Sequence, residues 1–159
     1  MKLTIPYGKD EAQDLVIPDE NFAGVIYPND VTVGNESDEI RRALDNPAGG
    51  PTLEEFLKGG KDVVFIVNDG TRPTPTRKVL DALDERMDLS SARYLIATGS
   101  HRAPTDEEYD FIFGKHYQPL KDKIYSHDSK NDNCINLGKS KNGTEMEVNE
   151  MAVNADRLV

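Results

Sequence analysis

The stretch Val63-Val64-Phe65-Ile66-Val67-Asn68-Asp69-Gly70-Thr71-Arg72-Pro73-Thr74-Pro75 decides the fold. Five apolar residues run straight into a polar turn bearing Gly and Pro, and a helical pattern follows. A short β-branched run bounded by turn signals predicts a buried strand over 62–67. Buried strands of this kind belong to sheets covered on both faces. In such sheets ligands gather at the carboxyl ends of the strands. Asn68 to Arg72 would stand there. Asp69 brings an acceptor, Thr71 a donor and an acceptor, and Arg72 a fixed fork of donors suited to a carboxylate or phosphate.

A second copy of the arrangement follows about one βα unit downstream. Ala92-Arg93-Tyr94-Leu95-Ile96-Ala97 reads as another buried strand and runs into Thr98-Gly99-Ser100-His101-Arg102-Ala103-Pro104. Thr105-Asp106-Glu107-Glu108 has the spacing of a capping box that opens a helix. Between the two strands, Thr74 is the expected N-cap and Pro75 a first-turn proline. Val79, Leu80, Ala82 and Leu83 fall on one face of that helix. Neighbouring parallel strands would place both polar turns on one sheet edge, with Arg72 and His101 facing a common crevice.

The 159 residues suffice for one domain and one core. The hydrophobic fraction, 36%, is low until the 12 glycines are counted with it. A net charge of −10 argues against a nucleic-acid partner, because phosphate backbones demand a basic surface. One cysteine, Cys134, excludes a disulfide framework and a cysteine-built zinc site. No apolar run approaches transmembrane length, and the start Met1-Lys2-Leu3-Thr4-Ile5 is too short and polar for a signal peptide. A cytoplasmic protein without a membrane partner is expected. The sequons at Asn35 and Asn142 are then chance matches.

Outward from the two units, residues 2–5 and 14–17 read as strands of a peripheral β-hairpin turned at Gly8-Lys9-Asp10. Asn21 to Tyr27 reads as a further extended segment. Ser37 is the expected cap of a short helix through Leu44. Thr52-Leu53-Glu54-Glu55 is a second capping box, and its helix should end at Gly59-Gly60. The helix near 106–113 should stop at Gly114, and Lys123 to Ser126 reads as a third strand. Asn131 to Gly138 is polar and turn-rich. Asn142-Gly143 signals a hairpin leading into an alternating strand at 145–149. Asn154 to Val159 reads as the approach to one more buried strand, so the chain is expected to be one domain cut from a longer polypeptide. The predicted fold class is α/β, with a Rossmann-like, mostly parallel sheet and flanking helices.

Among the candidate residues, Arg72 is the best anion ligand, beside a helix N-terminus that itself favours anions. Its structural alternative is a brace on Asp69. His101, in a turn after a buried strand, suits a general acid or base near neutral pH. His127 stands at the end of a strand and would line the same edge, whereas His116 is expected at the surface. The three histidines are too dispersed for a His-x-x-x-His metal pair. Cys134 has no evident neighbouring base.

Taken together, Asp69-Gly70-Thr71-Arg72-Pro73-Thr74-Pro75 and Ala97-Thr98-Gly99-Ser100-His101-Arg102 resemble the amino-terminal domain of the nickel-dependent lactate racemase family. The resemblance continues in order through His127-Asp128, Leu137-Gly138, Gly143 to Asn149 and Ala155 to Val159, so it covers roughly residues 14 to 159. It implies a two-domain α/β enzyme with its active site between domains, racemising or epimerising 2-hydroxy acids. The implied cofactor is a nickel-pincer nucleotide derived from a pyridinium mononucleotide. The implied chemistry is reversible hydride transfer at C2, with histidines as acid and base on the hydroxyl. By motif, His101 would be catalytic, Arg72 would bind the substrate carboxylate, and Asp69 and Thr71 would shape the turn and contact the cofactor. The family's cofactor-bearing lysine, its nickel ligand and its second acid–base histidine fall beyond Val159. This chain by itself is therefore expected to lack nickel and covalent cofactor, to be inactive, and to miss its carboxy-terminal domain. Its exposed cleft face would be open to a second copy as a homo-oligomer. The alternative class is a non-catalytic domain that binds a carboxylate or a nucleotide phosphate through Arg72 and the turn amides.

Overall fold

The computed structural model describes residues 1–32 and 34–159, and the chain divides into two units that part at residue 33. In the first unit β1 (Lys2–Tyr7) and β2 (Glu11–Val16) pair antiparallel, with Lys2 opposite Val16 and Tyr7 opposite Glu11. Gly8, at φ +63°, supplies the left-handed turn residue between them. The hairpin expected from sequence is present, and its strands extend further towards the turn. Backbone pairing continues through Glu11 and Gln13, whose polar side chains broke the apolar pattern. The segment from Asn21 to Tyr27 forms no strand; a 3₁₀ turn at Asp19–Asn21 precedes it.

The second unit opens with α1 (Glu36–Asp45). Its cap is Asn35, not the expected Ser37: Oδ1 of the Asn35 side chain accepts the N–H of Ser37 at 2.9 Å and of Asp38 at 3.2 Å. The helix thus begins earlier, with Glu36, Asp38 and Glu39 at its positive end. The second helix, α2 (Leu53–Leu57), starts on the Thr52–Glu55 capping box. There follow β3 (Val63–Asn68), α3 (Thr76–Asp84), β4 (Ala92–Ala97), α4 (Asp106–Phe113), α5 (Tyr117–Leu120) and β5 (Ile124–Ser126). The unit ends with β6 (Cys134–Lys139), β7 (Glu145–Asn149), α6 (Glu150–Val153) and β8 (Arg157–Leu158).

Four strands form one parallel sheet in the order β5-β4-β3-β8. Val63 lies opposite Ala92 and Asn68 opposite Ala97, so β3 and β4 end level and their polar turns leave the sheet side by side. Phe65, Leu80, Leu83, Leu89, Tyr94, Ile96, Phe113 and Leu120 form the core on one face of the sheet. Tyr94 stacks on Phe65 at 5.7 Å and meets the edge of Phe113 at 5.9 Å, while its hydroxyl donates to the Leu89 carbonyl at 2.9 Å. Burial holds the Tyr94 proton well above its ordinary pKa.

The other face is thinner. Val64 and Leu95 pack beneath Ala152, with Met151 and Val148 beside them. Ile66 remains 44% exposed, so the five-residue apolar run is not buried throughout. The closing segment is fastened to the start of β3. The Asp156 carboxylate accepts the N–H groups of Lys61 and Asp62 at 2.9 and 3.0 Å. Arg157 donates to the Phe56 and Lys58 carbonyls at 2.6 and 3.2 Å, satisfying the carboxyl end of α2.

Two further expectations are corrected. Pro75, not Thr74, stands at the N-cap of α3, because the Thr74 hydroxyl is taken by the Asn68 amide at 2.5 Å. The polar run 131–138 contains a strand: β6 pairs antiparallel with β7, placing Cys134 opposite Asn149. No described helix is long and apolar enough to cross a membrane.

Candidate functional site at the carboxyl edge of β3 and β4

The turn after β3 is built around Asp69. Its backbone carbonyl accepts the Arg72 N–H at 3.2 Å. One carboxylate oxygen accepts the Thr71 N–H at 3.2 Å and the Thr71 hydroxyl at 2.6 Å. This is the local bonding that makes Asp a turn former. Gly70 is required at the next position, since a Cβ there would lie 2.9 Å from Cγ of Glu108.

The turn after β4 is set by Thr98, which is 2% exposed. Its carbonyl accepts the His101 N–H at 3.0 Å, and Gly99 takes φ +59° between them. The Thr98 hydroxyl donates to the carbonyl of His127, while the His127 N–H bonds the Ile96 carbonyl at 3.1 Å. The ends of β4 and β5 are therefore tied together.

The two turns meet through one bond. Nδ1 of His101 lies 2.6 Å from the second carboxylate oxygen of Asp69. Asp69 is 7% exposed, and it is ionised: hydrogen bonds from His101, then Thr71, hold its carboxyl below the ordinary carboxylate range against the opposing effect of burial. A carboxylate at Nδ1 fixes the neutral tautomer with the proton on Nδ1. Nε2 is left as the acceptor. The His101 side chain is half exposed, and among the described residues Nε2 has no hydrogen-bond partner. The alternative that Arg72 braces Asp69 is not what forms. Among the described residues the Arg72 guanidinium makes no ion pair, and the Asp69 carboxylate is occupied by His101 and Thr71.

Arg72 and His101 line the same polar cavity, of about 270 Å³, with Asn68, Asp69, Thr98 and Ser100. A second cavity, of about 480 Å³, lies between His101 and His127. Nδ1 of His127 lies 3.1 Å from the Asp132 carboxylate, which also takes the Asn149 amide at 2.8 Å. His127 therefore shares the edge with His101, as the sequence predicted. Ser126, which lines that cavity too, has a buried hydroxyl without a partner among the described residues. An apolar hollow of about 250 Å³ under Leu44, Phe65 and Leu80 adjoins the polar cavity, with Asn68 lining both.

His116 departs from its expected surface position. It is 6% exposed, and its Nε2 lies 2.9 Å from the Asp81 carboxylate, which also pairs with Lys115 at 2.8 Å. The Gly114 stop turns it inward against α3, where it serves the packing. Sequence reasoning missed two participants at the edge, Glu108 and Asp132. Glu108 acts through Arg102 and Gly70 and Asp132 through His127 and Asn149, and only the capping-box spacing of Glu108 was visible.

The parallel sheet thus carries two polar turns at its carboxyl edge, one with an arginine that makes no ion pair among the described residues and the other with a carboxylate-oriented histidine. Comparison with known proteins narrows this. Residues 7–159 match the family described as the lactate racemase N-terminal domain. The lactate racemase of Thermoanaerobacterium thermosaccharolyticum is 36% identical over 166 residues, covering 99% of this chain and 38% of that protein. That of Lactiplantibacillus plantarum is 32% identical over 164 residues, with the same coverage of each. The solved structure of the lactate racemase apoprotein from T. thermosaccharolyticum superposes with a TM-score of 0.78, covering 99% of this chain and 38% of that one. The chain belongs to the lactate racemase N-terminal domain family, and it spans just over a third of the length of the curated relatives it matches.

Proposed function

We propose that this chain is the amino-terminal domain of an enzyme that racemises or epimerises a 2-hydroxy acid of the lactate type. The observation that carries the reading is the Asp69–His101 pair facing the same cavity as Arg72. The Arg72 fork would take the substrate carboxylate. Nε2 of His101 would accept the proton of the 2-hydroxyl and later return it, with Asp69 holding the ring and stabilising the imidazolium. Loss of that proton and of a hydride from C2 leaves a planar 2-keto acid. Return of the hydride to the other face, with reprotonation of the oxygen, inverts the centre.

The family's implied nickel-pincer nucleotide would supply the acceptor for the C2 hydride. Among the described residues no cluster of three His, Cys, Asp or Glu side chains is placed to hold a metal ion. The polar turn does fit the nucleotide end of such a group: Asp69 and Thr71 shape a backbone bend beside the Arg72 guanidinium and the start of α3. The remaining acid–base and cofactor-holding groups would come from polypeptide outside this chain.

The test uses the full-length protein carrying its matured cofactor. His101→Ala is expected to lower kcat by about 10²–10⁴-fold, the usual weight of a general acid–base. Arg72→Ala is expected to raise KM for the 2-hydroxy acid, because one partner of a charge-assisted pair is lost. Normal turnover in His101→Ala would overturn the assignment.

A further inference from the structure

Glu108 stands at the fourth position of the Thr105 capping box, yet it does more than cap. Its Oε2 accepts the Thr105 N–H at 2.8 Å, and the Glu108 N–H bonds the Thr105 hydroxyl at 3.3 Å. The same carboxylate takes Arg102 in a two-pronged grip, Nη1 at 2.7 Å and Nη2 at 3.1 Å. Nη1 of Arg102 also donates to the Ala103 carbonyl at 2.9 Å. Arg102 follows His101 directly, so this clamp sets the path of the chain as it leaves the histidine.

The other flank of Glu108 faces the first turn. Its Cγ and Cβ would stand 2.9 and 3.0 Å from a Cβ on Gly70, the residue after Asp69. Asp69, Gly70, Thr71, His101, Arg102 and Glu108 line one cavity of about 250 Å³. A second carboxylate beside Asp69 is tolerated because it is neutralised. Arg102 foremost, then the Thr105 N–H, holds the Glu108 carboxyl below its ordinary range, against burial and, to a lesser degree, the field of Asp69. The box at α2 offers a contrast: Glu55 bonds the Thr52 N–H at 3.0 Å, and among the described residues it has no arginine. A helix start needs only that much.

We propose that Glu108 is a positioning residue for the Asp69–His101 pair: locked on Arg102 and pressed against Gly70, it is the wall on which both polar turns are set. The proposal rests on the reading of His101 as the proton carrier, and its test does not depend on turnover. In the full-length protein the short Nδ1–H bond to Asp69 should give a low-field proton resonance, identified by its loss in His101→Gln. Glu108→Ala is expected to lose that resonance. Thr105→Ala removes the other half of the same cap, and it is expected to melt lower while keeping the resonance.

Persistence of the resonance in Glu108→Ala would reduce Glu108 to a cap and overturn the proposal. Equal loss in Thr105→Ala would overturn it too, since helix stability alone would then be the cause. Should Glu108→Ala fail to fold, Glu108→Gln carries the test. It keeps a cap acceptor without the charged two-oxygen grip, and the resonance must weaken. A wild-type protein without the resonance would overturn the Asp69–His101 bond itself. The proton-carrier reading fails separately, by normal turnover in His101→Ala.

Discussion

At the scale of single residues, the site depends on Asp69 being a carboxylate. Three hydrogen bonds from His101 and Thr71 converge on it, and they hold its pKa down in the folded state. A depressed folded pKa contributes stability above the unfolded value, about 3.9, and that contribution is lost as pH falls through the folded value. Asp69→Asn should therefore destabilise the protein near pH 6 by about 2 kcal/mol, the weight of hydrogen bonds to a charged group. The gap to wild type should begin to narrow as pH falls below about 4 and close only below the depressed folded value. Denaturant midpoints at pH 6 and pH 3 check this; an undiminished gap at pH 3 would show that charge is not the source. The sequence placed Asp69, Thr71, Arg72 and His101 on one edge but did not pair them. Asp69 and His101 are 32 residues apart, and nothing local marks which carboxylate takes the imidazole. The local alternative to an anion-binding Arg72, a brace on Asp69, does not form among the described residues.

At the scale of elements, legibility tracked locality. The Thr52 and Thr105 capping boxes, the Gly114 stop and the 92–97 strand are written in adjacent residues, and all formed as read. The misreadings are elements decided by distant partners. Thr74 lost its cap role because Asn68 claims its hydroxyl across the turn, and β6 exists because β7 pairs with it. His116 is inside because α3 offers Asp81. The helix that carries Glu108 is anchored to the sheet by Phe113, fully buried against Tyr94. Phe113→Ala should cost about 3–5 kcal/mol through the cavity left behind. Tyr94→Phe should cost about 1 kcal/mol, the bond to the Leu89 carbonyl. Chemical denaturation of both variants tests the order. A Phe113→Ala cost no larger than that of Tyr94→Phe would show that α4 is not held through this contact.

At the scale of the whole molecule, the two units differ in what they bury. Among the described residues, every buried one lies between Val63 and Ala152, and none of residues 1–32 is buried. β1 and β2 leave Ile5, Tyr7, Leu15 and Val16 exposed on a single hairpin. An isolated two-stranded hairpin is marginally stable at best in water, because one pair of strands cannot repay the entropy of ordering it. The parallel sheet, by contrast, has its own core on one face and a smaller cluster on the other. The polypeptide 34–159 should therefore melt cooperatively, and a peptide of residues 1–32 should not. The truncated polypeptide should also keep the low-field His101 resonance, since Asp69, Arg102 and Glu108 all lie within it. Circular dichroism melting and the proton spectrum of the two pieces read this directly. Loss of cooperative melting from 34–159 would mean that the sheet's core is insufficient without the hairpin. Cooperative melting with the resonance gone would mean that the hairpin acts on the site and not on the fold.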